Sequence, residues 1–457
     1  MIAETALVLC LALAAAPPSE RPPEKTGSPA GNPALLARIE GLLTLGRIAE
    51  ARAQAEEALR KNPSDPALLV MKARCLLEGG DFPACEAVLS QLLAGAGSWP
   101  APERARLLLR LAEARLLQGD LDGAASAAEE SLASEGEDLA AAAAGIFFRA
   151  RRYRRALPLL ERAIARASED RFLRYARGVA LSRQGSFREA LNDLALAVED
   201  PSLRVEARYE RGMALGKLGE PRRAAEELLL ALEEDPWHAG ASYLLGQELI
   251  RLKKSRLAAH LFRFWRGLQE AEGLSSRDHH LAALGRAVEA GLERARKWEQ
   301  LGRYEKAIAE FAALARSSGG AAAARAEAEF WMRMGLPGEA RRAIDRAGTA
   351  GDPALAEVEA RLPAALPPGD VRALLLDLAR EARARGQAEE AYRRLRLLVA
   401  LEPRSEEALR LLSQMHQDPS ELLPRIHFLR RLLEVRPDDA AARTALEEAR
   451  RPFREDG

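Results

Sequence analysis

Net charge, cysteine and β-branched side chains are all scarce in this chain, and each scarcity narrows what it can be. Strands are built largely from β-branched and aromatic residues. Aromatics make up only 5% of the 457 residues, so no strand-rich domain is expected. The 68 basic and 68 acidic side chains cancel to a net charge of zero. Bulk attraction to nucleic acid or to an anionic membrane is therefore absent, and no nucleic-acid partner is expected. Three cysteines, Cys10, Cys75 and Cys85, leave room for one bridge at most. The longest apolar stretch, Ala6 to Ala16, is too short for an ordinary transmembrane helix. Catalytic signatures are missing as well: there is no phosphate-cradling glycine loop ahead of a helix, no metalloprotease histidine pair and no nucleophile elbow. The chain is expected to be no enzyme, with no catalytic residue, cofactor or metal.

What is present is alanine, leucine, arginine and glutamate, all strong helix formers, arranged with a period of 34. That step links Gly178, Gly212 and Gly246, and likewise Tyr175, Tyr209 and Tyr243, and Ala163, Ala197 and Ala231. A period of this length marks a solenoid of helical hairpins, in which each unit buries its apolar face against the next. The clearest unit, Val205 to His238, carries Gly212, Leu215, Gly219, Ala224, Leu228, Ala231 and Pro236. Gly212 and Ala224 are small so that antiparallel helices can approach. Gly219 ends the first helix and Pro236 follows the second.

With its small residue at position 8, glycine at 15, alanines at 20 and 27 and proline at 32, this unit resembles the tetratricopeptide repeat family. The resemblance implies an all-α superhelical solenoid of antiparallel helix pairs. About eleven repeats follow from it. Repeats 1 to 7 occupy residues 32–272, marked for example by Gly46, Ala51, Ala58 and Pro63 in the first and by Gly178, Gly185, Phe187, Ala190 and Ala197 in the fifth. Arg151 and Lys253 stand where the turn glycine of repeats 4 and 7 is expected. An interruption at 273–287 contains His279 and His280, which read as a solvated loop and not a metal site. Repeats 8 and 9 occupy 288–354, a proline-rich interruption 355–371, and repeats 10 and 11 occupy 372–439. The last of these is degenerate, with Asp418 and Pro419 at its turn. A capping helix and tail fill 440–457.

Residues 1–16 have the apolar core and small-residue end of a signal peptide, although Glu4 takes the place of the usual basic start. Residues 17–31, rich in proline, form a disordered linker in this reading. Export to the periplasm or cell envelope is expected, and a cytosolic location is the alternative if residues 1–16 are not a signal. Cys10 sits in a poor lipidation context. Cys75 and Cys85, both in repeat 2, read as small buried hydrophobes or, in an oxidising compartment, as a disulfide.

The resemblance also implies which face binds. First-helix positions that face the concave groove in the family hold Tyr175, Tyr209 and Tyr243 in one row and Arg149, Arg183, Lys217 and Arg251 in another. Phe172, Met213 and Gln247 lie beside them, as does Glu206. Rigid rings and guanidinium forks suit an extended acidic peptide. The expected role is a protein-interaction scaffold in envelope assembly or secretion, holding a protein or peptide partner. A cytosolic regulator docking a signalling partner is the alternative.

Overall fold

Every described element is an α-helix, twenty-four in all. The computed structural model describes residues 33–95, 99–133, 139–283, 287–315, 320–347, 353–363, 370–415 and 422–454, with backbone alone at 271–287, 320, 353, 354 and 454. The expected signal peptide, the linker and Cys10 lie outside these residues, as do Pro367, Pro368, Gly369, Asp418, Pro419 and the side chains of His279 and His280. The chain divides into two compact units, Met1–Leu218 and Gly219–Gly457.

In the first unit, α1 (Pro33–Thr44) pairs with α2 (Ile48–Lys61), α3 (Pro66–Glu78) with α4 (Phe82–Ala94), and α5 (Ala101–Gln118) with α6 (Leu121–Ala133). Next come α7 (Ala140–Arg149) with α8 (Tyr153–Arg166), and α9 (Arg171–Arg183) with α10 (Phe187–Ala197), followed by α11 (Arg204–Lys217). Aspartates start several first helices by accepting backbone N–H groups that have no partner within the helix. Asp65 accepts from Ala67 and Leu68 at 2.9 and 3.3 Å, and Asp170 from Phe172 and Leu173 at 2.9 and 3.0 Å. The core between hairpins is mainly alanine and leucine, with Phe147 its largest fully buried side chain. Close approach is compulsory at Gly178, where a β-carbon would stand 2.8 Å from Leu194 Cγ.

The second unit opens with α12 (Pro221–Glu234) and continues through α13 (Ala239–Arg251), α14 (Ser255–Ala283), α15 (Ala287–Gln300), α16 (Tyr304–Ala315), α17 (Gly320–Arg333) and α18 (Pro337–Ala347). It ends with α19 (Pro353–Ala360), α20 (Val371–Ala384), α21 (Ala388–Leu401), α22 (Glu406–Met415), α23 (Leu422–Val435) and α24 (Ala440–Arg454). The expected interruption at 273–287 is largely helix, because α14 runs unbroken to Ala283. A lone Gly273 costs a helix only about 1 kcal/mol. Within the second interruption, α19 packs on α17 as an additional short helix. Degenerate as it is, repeat 11 still folds as a helix pair, α22 with α23. Rings fill the core here: Phe330 lies 6.0 Å from Tyr304, 5.9 Å from Phe311 and 4.9 Å from Trp331.

Turn geometry is preserved where the glycine is not. After α9, Gly185 at φ +90° donates to Ser182 O at 3.1 Å, and Ser186 donates to Leu181 O at 3.0 Å. After α7 the same two bonds run from Arg151 to Phe148 O and from Arg152 to Phe147 O, at 3.0 and 2.8 Å. Arg151 holds φ +57° to make them. Lys253 does the same at φ +59°. Both are strained, since the left-handed region costs an L side chain roughly 1–2 kcal/mol.

The second unit closes on itself. Its first helix, α12, packs against α23 and α24. Glu233, 2% exposed, receives both Arg450 Nε at 2.8 Å and Arg450 Nη2 at 2.5 Å, and Glu234 pairs with Arg430 at 3.0 Å. Lys254 Nζ, just ahead of α14, reaches Pro452 O at 2.9 Å.

Two measurements test these arguments. In chemical denaturation, Arg151→Gly is expected to be neutral or to stabilise by up to about 1 kcal/mol, whereas Gly185→Ala destabilises by about that amount. Arg450→Met leaves Glu233 buried without its cation and is expected to cost roughly 3–5 kcal/mol in the same assay. The double change of Glu233 and Arg450 to methionine should recover most of it.

Candidate functional site

Closure of the second unit leaves a cavity of about 1100 Å³. Its wall is drawn mainly from second helices of the hairpins, α12, α14, α21 and α23, together with the α15–α16 turn, the end of α17 and Phe453 of α24. Six aromatic rings line it, Trp237, Phe264, Tyr304, Tyr392, Phe428 and Phe453, with Trp237 against Phe264 at 5.5 Å. Five arginines, Arg296, Arg333, Arg393, Arg396 and Arg431, face three glutamates, Glu299, Glu305 and Glu389. The balance is basic, and part of it is already spent. Arg333 grips Glu299 through two bonds of 3.1 and 2.8 Å, and Glu305 accepts from Arg303 at 2.8 Å.

Arg396 occupies the middle of the aromatic wall. Its guanidinium lies 5.1 Å from the Trp237 ring centre, 5.6 Å from Phe428 and 5.8 Å from Tyr392, distances at which a ring face attracts a cation. It donates to Gly302 O at 2.8 Å and to the Tyr392 hydroxyl at 3.1 Å. On the same wall Arg431 donates to Pro403 O at 2.6 Å. Burial pulls the Arg431 guanidinium below its ordinary range; Glu434 opposes the shift and the nearby charge of Arg396 adds to it. The Tyr304 phenol is pushed well above its usual value by burial, with Arg396 acting against that.

His427 joins the cavity to the closing contact. Its Nδ1–H donates to Glu233 O at 3.2 Å, and protein packed around the ring drives its pKa down to about 4. The Glu233 hydrogen bond acts against that shift, while Arg431 and Arg396 reinforce it.

The residues expected from the sequence lie elsewhere. Tyr175 is 8% exposed and belongs to the same buried cluster as Phe147, Leu173 and Leu203, so it is a core residue and drops out of the tyrosine row. Phe172 packs half-buried against that core. Tyr209 and Met213 are half-buried, and burial raises the Tyr209 phenol, with Glu210 adding to the rise. Arg183 is engaged by Glu210 through bonds of 2.9 and 2.7 Å, Arg251 pairs with Glu248 at 3.1 Å, and Arg149 is half-buried. Lys217 is exposed at the end of α11. Tyr243 is 36% exposed and stacks on Trp265 at 4.9 Å. With Gln247 and Arg251 it lies on α13, outside the cavity lining. Cys75 and Cys85 are free, fully buried thiols raised to about 11 chiefly by burial, and Cys85 Sγ donates to Ala73 O at 3.2 Å.

Family models described as tetratricopeptide repeat match residues 42–101, 77–145 and 142–204. Residues 42–204 thus belong to the tetratricopeptide repeat family. Tetratricopeptide repeats bind proteins or peptides and are generally non-catalytic scaffolds. Beyond the matched residues, the helix pairs of the second unit continue the repeat, with left-handed turn residues at Lys253, Gly302, Gly335 and Gly386. Among solved structures, the chain is similar to YrrB, described as a TPR protein with an unusual peptide-binding site. The two are 21% identical, with 41% of this chain and 95% of that one covered and a TM-score of 0.36. A tetratricopeptide repeat protein from Parabacteroides merdae matches at 14% identity, covering 52% and 92%, with a TM-score of 0.40. The Cut9–Hcn1 hetero-tetramer of APC/C matches at 14%, covering 92% and 90%, with a TM-score of 0.34. No curated protein matches the sequence. None of the described helices is long and apolar enough to cross a membrane.

The depressed His427 fixes the sign of one pH effect. The folded state resists a proton that the unfolded chain accepts near pH 6.5. The stability contributed by the neutral ring is therefore complete above that pH and is lost as pH falls toward about 4. By pH 5 the loss is on the order of 2 kcal/mol. Denaturation of His427→Gln at pH 7 and pH 5 should show a smaller difference between the two pH values than the parent does. An equal difference would refute this assignment.

Proposed function

We propose that this chain is a non-catalytic scaffold that holds an acidic peptide or protein segment, and that the cavity of the second unit is where it is held. The observation that carries this is the composition of the wall: six aromatic rings, and five arginines against three glutamates, around about 1100 Å³. A cavity of this size is at the upper end for small ligands and admits several side chains of an extended segment. Ring faces supply contact area at low entropic cost, and fixed guanidinium groups supply charge-assisted hydrogen bonds to carboxylates. Neutral net charge supports a local electrostatic preference without a general affinity for polyanions such as nucleic acid. Tyr243, Gln247 and Arg251, on α13, form a second candidate contact surface.

The apolar stretch of residues 1–16 supports export and a role in envelope assembly or secretion. A cytosolic regulatory role is the competing reading, and a fusion of residues 1–31 to a reporter active only after export decides between them. Activity is expected, and a silent reporter overturns the envelope assignment.

Selection of a random peptide library on the purified chain tests the binding reading. Recovered peptides are expected to be rich in aspartate and glutamate and to lose affinity as salt rises. Replacing Trp237 and Tyr392 together by alanine should weaken them about tenfold or more. Enrichment of basic peptides, or binding indifferent to both substitutions, would remove the cavity from consideration.

A further inference from the structure

Arginine in this chain is usually paired. In the second unit Arg294 is held by Glu310 at 2.9 and 2.7 Å, Arg394 by Glu390 at 2.5 Å and Arg450 by Glu233. Of the five cavity arginines only Arg333 is paired in this way among the described residues; Arg296 and Arg393 are exposed to water, whereas Arg396 and Arg431 are partly buried. Arg396 bonds to a carbonyl and a phenol, and Arg431 to a carbonyl; among the described residues neither forms an ion pair with a carboxylate. Both are partly withdrawn from water, and both act electrostatically on the same neighbour, His427, which is neutral at physiological pH. Two like charges are thus held near one another; Glu434 and Glu305 act on Arg431 from a distance, and neither bonds to it.

A guanidinium carries five N–H donors, and the bonds to Gly302 O, Tyr392 and Pro403 O leave both forks with donors to spare. Those same bonds, with the three rings around Arg396, fix each fork before any ligand arrives. The entropy of ordering a long side chain is then already spent. An oxyanion with two or more acceptor oxygens would bond to the spare donors and relieve the repulsion between Arg396 and Arg431. Rings on the cavity wall lower the local dielectric and strengthen that bond.

Resting on the reading of the cavity as the peptide site, we propose that Arg396 and Arg431 form an oxyanion subsite within it, which anchors an acidic group of the bound segment. The chemistry shared by its candidate occupants is that of a carboxylate or a phosphate ester.

Calorimetric titration of the full chain separates the sources. The probes are nonapeptide pools whose central residue is glutamate, phosphoserine or glutamine, with uncharged residues elsewhere, and inorganic phosphate alone. The glutamate or phosphoserine pool should bind about tenfold or more tightly than the glutamine pool. Arg396→Gln and Arg431→Gln should each abolish that preference. The lysine variants, which keep the charge and lose the fork, should restore part of it, and they guard against a simple folding defect. A preference for glutamate identifies a carboxylate ligand, and one for phosphoserine a phosphorylated one. Equal binding of all three pools, unaffected by the substitutions, overturns the subsite and leaves the peptide reading standing. Binding of inorganic phosphate that depends on both arginines, with no pool bound, supports the subsite and overturns the peptide reading. If none of the probes binds, both are overturned.

Discussion

Glu233 sits in the second unit with 2% of its surface exposed, and a carboxylate so placed is tolerable only with a cation against it. Arg450, 217 residues later in the chain, is that cation. The pairing brings the first helix of the unit to its last, and the neighbouring bonds from Arg430 to Glu234 and from His427 to the Glu233 carbonyl hold the same seam. A solenoid whose ends meet has an inside. In this unit the inside is lined mainly by second helices of the hairpins, so the charged residues that would otherwise face solvent there become a cavity wall. The site depends on the seam.

The contrast between the two sets of arginines follows from periodicity. A repeat that places a basic residue at one position of every hairpin also places carboxylates one repeat away, and the two meet. Arg74 pairs with Glu40 and Arg333 with Glu299, each across a separation of 34 residues, and Arg183 pairs with Glu210 across 27. Rows of charge along a solenoid therefore tend to be consumed by their neighbours, which is why Arg183 is engaged; Arg251 is held by Glu248 within its own helix. Arg396 and Arg431 escape this pairing because the groups they bond to are carbonyls and a phenol, not carboxylates.

Much of the fold was legible in the residues. Small side chains at Gly178 and Gly246 announced helix contacts too close for a β-carbon, and turn glycines announced the helix ends. Arg151 and Lys253 show that the hairpin imposes the left-handed turn even on residues that resist it, so the pattern survived its own exceptions. The slip of the period around Gly273 left a linker or an extra helix open, and the backbone there is helical to Ala283, since one glycine and two serines do not stop a helix already under way. The binding row was misread at Tyr175, since a fixed position in a repeat says which face a side chain takes and not how deeply neighbouring repeats cover it.

Local signals at short range, the period of 34, the caps, the small residues and the turns, determined the helices and their antiparallel pairing, because each acts within one hairpin or between adjacent ones. They carry no information on closure. Curvature accumulates from small rotations at each hairpin and from departures such as the 29-residue α14 and the extra helix α19. Whether Glu233 meets Arg450, and so whether Trp237, Arg396, His427 and Arg431 share one cavity, was decided only by the tertiary sum of those rotations.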